Sequence, residues 1–269
     1  MSIITLSVSC AMLLKLLFID TYLSNRVNDE IKNIYYSNDD NSTEENRFAS
    51  LLNLNSDIYG WISINGTKID YPVLMANAEN PEFYLKHNYK RENSKYGSIF
   101  IDSKCNGVTT PKNTIIYGHH MADGQMFADL MKYSELNFYK EHPIIKFDTI
   151  RENSDWKIIS IFKTNTLPEH GKIFNYIITD FNSNSEFLKY VDEVRKRSLL
   201  NIPVDVNQND RLITLSTCSS EFKNFRTVVV ARKVRKGEAS RINVNLASKS
   251  ENPLMPDCWY ERYGGSVPN

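Results

Sequence analysis

Two β-type runs, Leu212-Ile213-Thr214-Leu215-Ser216-Thr217 and Thr227-Val228-Val229-Val230-Ala231, stand either side of a short polar connection that begins at Cys218 and ends at Arg226. Runs of that length and β-branched content, split by so few residues, read as neighbouring strands. Cys218 then sits where a strand ends, with a cation a short loop away. That layout suits a thiol nucleophile whose developing oxyanion needs a positive partner. A lone cysteine is more often a small buried hydrophobe, so the reading needs further support. It comes from Asn113-Thr114-Ile115-Ile116-Tyr117-Gly118-His119-His120, another strand running into a turn, which brings a candidate acid or base.

Composition narrows the alternatives. Lys plus Arg (32) equal Asp plus Glu (32), which gives no sign of a polyanionic partner such as nucleic acid. The 15 Tyr and 13 Phe, with short β-branched clusters, favour β structure. The four cysteines, Cys10, Cys105, Cys218 and Cys258, show neither a CxxC pair nor zinc-finger spacing, and the adjacent histidines lack acidic or thiol partners at ligand spacing. No metal or cofactor is implied. Ile3 to Leu23 is mostly apolar, interrupted by Lys15 and Asp20, and approaches the roughly 20 residues that span a bilayer. No small-x-small cleavage site follows it, so it reads as an uncleaved anchor, and the flanking charges do not orient it.

After the anchor, residues 25–47 are polar, with turn formers at Asn38-Asp39-Asp40-Asn41-Ser42-Thr43, and read as a stalk. Phe48, Leu51 and Leu52 then mark a helix. An Asn65-Gly66 hairpin joins strands on either side, and strands are expected again at Ile144 to Phe147 and Trp156 to Lys163. The last carries apolar residues on both faces, as a central strand does. Gly124 to Tyr133 has helical spacing. So does Asn184 to Leu199, where Phe187, Leu188, Val191 and Val194 line one face of an amphipathic helix. Ser240 to Asn269 shows little periodicity and reads as an irregular tail with one sticky patch, Cys258-Trp259-Tyr260.

At the Leu-Ser-Thr-Cys strand with its following arginine and the earlier Gly-His, the sequence resembles the sortases, cysteine transpeptidases of Gram-positive surfaces. The short Cys-to-Arg loop and the long helix before the cysteine strand resemble class B. The likeness also takes in the region around Trp61 and Tyr96-Gly97-Ser98-Ile99-Phe100-Ile101-Asp102. It implies a mainly β fold with peripheral helices: an eight-stranded β-barrel with N-terminal helices and one long helix before the cysteine strand. The implied organisation is a membrane anchor (1–24), a polar stalk (25–47), a catalytic domain (48–237) and the tail (238–269).

The resemblance further implies that Cys218, His119 and Arg226 are catalytic. His119, directly after Gly118, matches the family's histidine, while His120 points to the opposite side of an extended chain and either lines the site or packs beneath it. Ser216 shares a strand face with Cys218 and is a candidate substrate contact. Ser219 offers its backbone N–H to the oxyanion, and Glu221 either orients Arg226 or receives the incoming amine. The helix and the loop leading to Asn207 are expected to wall the groove. Arg232 and Arg235 are rivals to Arg226 from further along the strand. The implied activity is cleavage of a C-terminal sorting signal after Thr through a thioacyl enzyme, with transfer to a cell-wall peptide amine. The implied partners are secreted proteins bearing sorting signals, the wall peptide and the membrane, with the catalytic domain extracellular. A membrane-tethered cysteine endopeptidase and a decayed surface-binding module are the alternatives.

Overall fold

The computed structural model describes residues 8–9, 18–37, 44–106 and 111–268, in two units, 1–56 and 57–269. The first unit holds helices α1 (Asp20–Ser37) and α2 (Glu44–Leu54). Most of the segment read as a polar stalk is thus helical. Ile31 and Tyr35, four residues apart and both buried, give it an apolar stripe that its Asn- and Asp-rich composition conceals. Tyr35 meets Phe48 of α2 edge-on at 6.0 Å, and the Arg47 guanidinium lies 5.1 Å above the Tyr35 ring. The expected turn at 38–43 and most of the apolar stretch from Ile3 lie outside the described residues. Among the described residues no helix is long and apolar enough to cross a membrane.

The second unit is a closed barrel. Its strands are β1 (Ile58–Ser63), β2 (Asp70–Met75), β3 (Ile99–Ile101), β4 (Asn113–Tyr117), β5 (Ile144–Thr149), β6 (Asp155–Asn165), β8 (Leu212–Ser219) and β9 (Phe225–Lys233), while the short β7 (Leu200–Asn201) stands outside it. The barrel strands run in the order β1-β2-β3-β4-β8-β9-β6-β5, and β5 closes back on β1. This is the expected eight-stranded barrel. The β1–β2 turn uses Gly66 at φ 78°, a conformation a Cβ disfavours. Two junctions are parallel, β2 with β3 and β4 with β8; the latter sets the active-site geometry.

β6 is buried along nearly its whole length, as its apolar sequence foretold. One side of it faces the barrel core. The other is covered by helix α4 (Asn184–Lys196), whose Val194 carbonyl accepts a 2.6 Å hydrogen bond from Ser160 Oγ. Phe187, Tyr190, Val191 and Val194 form the buried stripe of α4. A reciprocal cap starts it: Ser183 Oγ accepts from Glu186 N at 3.1 Å, and Glu186 Oε2 accepts from Asn182 N at 2.8 Å. Between β4 and β5, the expected helix over 124–133 is instead a 3-10 helix, Ala128–Ser134, followed by a short α3 (Leu136–Glu141). Phe127, Leu130 and Tyr133 are all fully buried, and a spacing of three matches the 3-10 repeat.

The C-terminal segment is not the loose tail its sequence suggests. β10 (Ser248–Lys249) pairs antiparallel with β7, Leu254 N donates to Lys196 O at 2.8 Å, and the chain closes with helix α5 (Asp257–Tyr263). Its partners lie far away in sequence, where periodicity within the segment carries no trace of them.

Candidate active site

Strand register brings the reacting side chains together. β4 and β8 run parallel with Tyr117 beside Ser216, and Gly118 N donates to Ser216 O at 3.2 Å. Gly118-His119 therefore leaves β4 next to the end of β8, where Cys218 stands. β8 and β9 are antiparallel, and Cys218 is the direct partner of Arg226. Directly opposite residues share a sheet face with Cβ atoms about 4.5–5.5 Å apart, so the thiol and the guanidinium start from adjacent positions. His119, Cys218 and Arg226 all line one cleft of about 410 Å³.

The thiol inventory points to the same place. Among the described residues Cys105, Cys218 and Cys258 are all free, and Cys218 is the exposed one. Burial pushes the Cys105 thiol up to about 11 and also raises that of Cys258. Both are thus poor nucleophiles at neutral pH.

His119 is oriented from behind. Its Nε2 lies 2.7 Å from the Leu85 carbonyl, which can only accept, so Nε2 carries the proton and Nδ1 is the basic nitrogen of the neutral ring. Leu85 in turn depends on Gly97 (φ 57°), where a Cβ would come within 2.7 Å of the Leu85 oxygen. Gly118 is equally confined: a Cβ there would lie 2.4 Å from Ile99 Cδ1 and 2.7 Å from Phe127 Cδ2. Gly118→Ala is expected to destabilise the fold by about 1–3 kcal/mol through overpacking and to displace His119. A lowered denaturant midpoint together with reduced turnover of the folded fraction checks this; an unchanged midpoint refutes it.

The other expected site residues divide. Ser216 lines the cleft, and its Oγ lies 2.8 Å from the hydroxyl of Tyr176. Tyr176 is buried, its phenol pushed up chiefly by desolvation, and its backbone carbonyl accepts from Tyr190 of α4 at 2.9 Å. No sequence signal singled Tyr176 out, because its position depends on how the β6–α4 connection lies across β8. The side chains of Ser219 and Glu221 do not line the cleft. Ser219, one step beyond Cys218, faces the opposite way, toward Thr227 Oγ1 at 3.1 Å. The Glu221 carboxylate accepts from Ser219 Oγ and from the buried Lys163 ammonium. His120 is also absent from the lining and pairs through its main chain with Met126.

Of the two rival arginines, Arg232 is fully buried against Glu238 and Arg235 is tied to Asp210 and Asp205. Among the described residues the lining comes from 81–85 and 100–103 rather than from α4 or the loop to Asn207. Asp102 is part of that wall and accepts from the Tyr117 hydroxyl at 2.8 Å.

Comparison with known proteins agrees with this geometry. The Sortase domain family model matches residues 62–234. The Sortase B of Listeria monocytogenes is 38% identical over 198 residues, covering 73% of this chain and 77% of that protein. A Staphylococcus aureus sortase B–substrate complex superposes with a TM-score of 0.71 at 32% identity, covering 81% of this chain and 99% of the other. A sortase B structure complexed with triglycine gives a TM-score of 0.72 at 32% identity, with 80% and 99% covered. The chain therefore belongs to the sortase family, in its class B, and is a cysteine transpeptidase of the kind that anchors surface proteins.

Proposed function

We propose that the enzyme cleaves a C-terminal sorting signal after its threonine and passes the acyl group, through a thioester on Cys218, to an amine of a cell-wall peptide. The observation that carries this reading is the cross-strand pairing of Cys218 with Arg226 beside Gly118-His119 at one cleft. The Cys218 thiolate attacks the threonine carbonyl, and Arg226 stabilises the oxyanion, with the backbone N–H of Ser219 as a second donor. The imidazolium of His119, its Nε2–H held by Leu85, gives a proton from Nδ1 to the leaving amine. The neutral ring then takes a proton from the attacking amine, the thioester breaks, and the new amide leaves. The relatives solved with a substrate and with triglycine support a cleft that takes peptides. Secreted proteins bearing sorting signals and wall peptides meet outside the cell, so the catalytic unit is placed at the outer face of the membrane; none of the described helices supplies the crossing.

The test incubates the full chain with peptides of both signal types, NPQTN-like and proline-x-threonine-glycine, with and without an amine nucleophile. The expected product is an amine adduct by mass, absent with Cys218→Ala. Cleavage that survives Cys218→Ala sinks the mechanism, and hydrolysis that no amine diverts makes the enzyme an endopeptidase instead.

A further inference from the structure

One side-chain cluster that the reaction leaves unused is aromatic, and it lies against the loop between β8 and β9. Phe222 stands in that loop, and Phe225 opens β9 one residue before Arg226. Trp259 of α5 stacks on Phe225 with ring planes 14° apart and centroids 6.4 Å apart, and Tyr263 meets Phe222 edge-on at 6.1 Å. Arg262 covers the Phe222 ring at 5.1 Å and donates from Nη1 to the Glu221 carbonyl at 2.8 Å. The first turn of α5 is wedged against the β6–α4 connection, where a Cβ on Gly171 would come within 2.5 Å of Asp257 Oδ2. α5 thus grips the loop that separates Cys218 from Arg226, and its first turn is braced on the connection that carries Tyr176 to Ser216.

The grip leads to the guanidinium by a short route. Arg226 Nη1 donates to the Phe225 carbonyl at 3.0 Å, and Phe225 is the residue on which Trp259 stacks. From inside the barrel the same loop is held by the Glu221 carboxylate on Lys163, and Thr166 Oγ1 donates to Asn224 O at 2.7 Å. Asn224 sits at φ 55°, in the left-handed region that asparagine adopts more readily than most residues. Without α5 the two rings would keep the His170 ring, at 5.7 Å from Phe222 and 6.2 Å from Phe225, and Phe225 its ladder partners Asn165 and Ser219, but Phe222 would lose the cover of Trp259, Arg262 and Tyr263. All of α5 lies beyond residue 234, where the family match ends, so the shared domain gives it no role.

We propose that the C-terminal segment is a clasp, and that Trp259 and Arg262 are positioning residues that hold the β8–β9 loop so that the Arg226 guanidinium stays opposite Cys218. The proposal rests on the reading of Cys218 and Arg226 as the reacting pair. The clasp acts through Arg226 and touches neither substrate nor thiol, so its removal lowers kcat and leaves KM nearly unchanged.

The test is the Trp259→Ala/Arg262→Ala variant of the full chain, assayed for transpeptidation below its unfolding midpoint and normalised to the folded fraction. The expected kcat is lower by about 10- to 10²-fold, the scale of a reacting group misplaced by about 1 Å. Trp259→Phe, which keeps a ring on Phe225, restores most of it. The exposed Arg262 replaced alone by alanine provides a variant with little risk to folding, and about a threefold fall in kcat is expected from it. In an Arg226→Lys background the double substitution is expected to cost almost nothing further, because both changes act on one group. Unchanged kcat, or an equal loss in both backgrounds, overturns the clasp. Full turnover by Arg226→Ala would overturn the reading of the site itself, a separate result.

Discussion

Arg226→Ala is expected to lower kcat by about 10²- to 10³-fold, the usual effect of deleting one preorganised oxyanion donor. The side chain stands opposite Cys218 on the ladder and lines the cleft, so its charge falls where the tetrahedral oxygen forms. The guanidinium is always protonated and presents a planar fork; lysine supplies charge without that fork, and Arg226→Lys should recover only part of the loss. Arg226 is half-buried at a strand end, so the unfolding midpoint should barely move. Single-turnover formation of the thioester, trapped with acid and weighed by mass spectrometry, isolates the step. Wild-type rates in Arg226→Ala would place oxyanion stabilisation elsewhere in the cleft.

The largest effect on stability is expected at Glu238. Its carboxylate receives both arms of the fully buried Arg232, each at 2.7 Å, and the Lys157 ammonium at 2.6 Å. Glu238→Ala leaves the buried guanidinium only the Asp205 carboxylate at 3.7 Å and the Lys233 carbonyl at 2.9 Å, and should cost about 3 kcal/mol, read as a lowered urea midpoint at unchanged slope. Hydrogen bonds from Arg232 and then Lys157 hold the Glu238 carboxyl well below the usual carboxylate range. A depressed folded-state pKa gives stability that is fully present above the unfolded value, about 4.3, and is lost as pH falls toward the folded one. The wild type should therefore lose this contribution only below about pH 4, whereas Glu238→Gln should lack that acid-dependent loss. A wild-type acid-unfolding curve that matches that of Glu238→Gln would refute the assignment.

The strands were legible because β-branched runs separated by turn formers leave few other folds. The reacting pair was legible because a hairpin puts its partners close in sequence. Alternation along β8 puts Ser216 on the cleft side, where it lies, and, followed one residue further, also turns Ser219 inward. The partner of Glu221 was not legible, because Lys163, which holds its carboxylate, stands on another strand. The same cause hid Tyr176, the 81–85 wall and the grip of α5: each is a meeting of segments remote in sequence. α1 was hidden differently, since two apolar residues among Asn and Asp carry too little pattern to announce a helix.

The parallel junction of β4 with β8 also bears on how activity is born. Cys218 and Arg226 are joined by a local hairpin, a pairing that closes on the microsecond scale. His119 arrives from the other side of a loop of about a hundred residues and is held there by a register in which a slip of one residue would turn every side chain over. During refolding, then, the chain should acquire its thiol-guanidinium pair before it acquires a proton donor. An immature barrel would be a harmless thiol rather than a loose protease, and turnover would return only with the last, slowest closure.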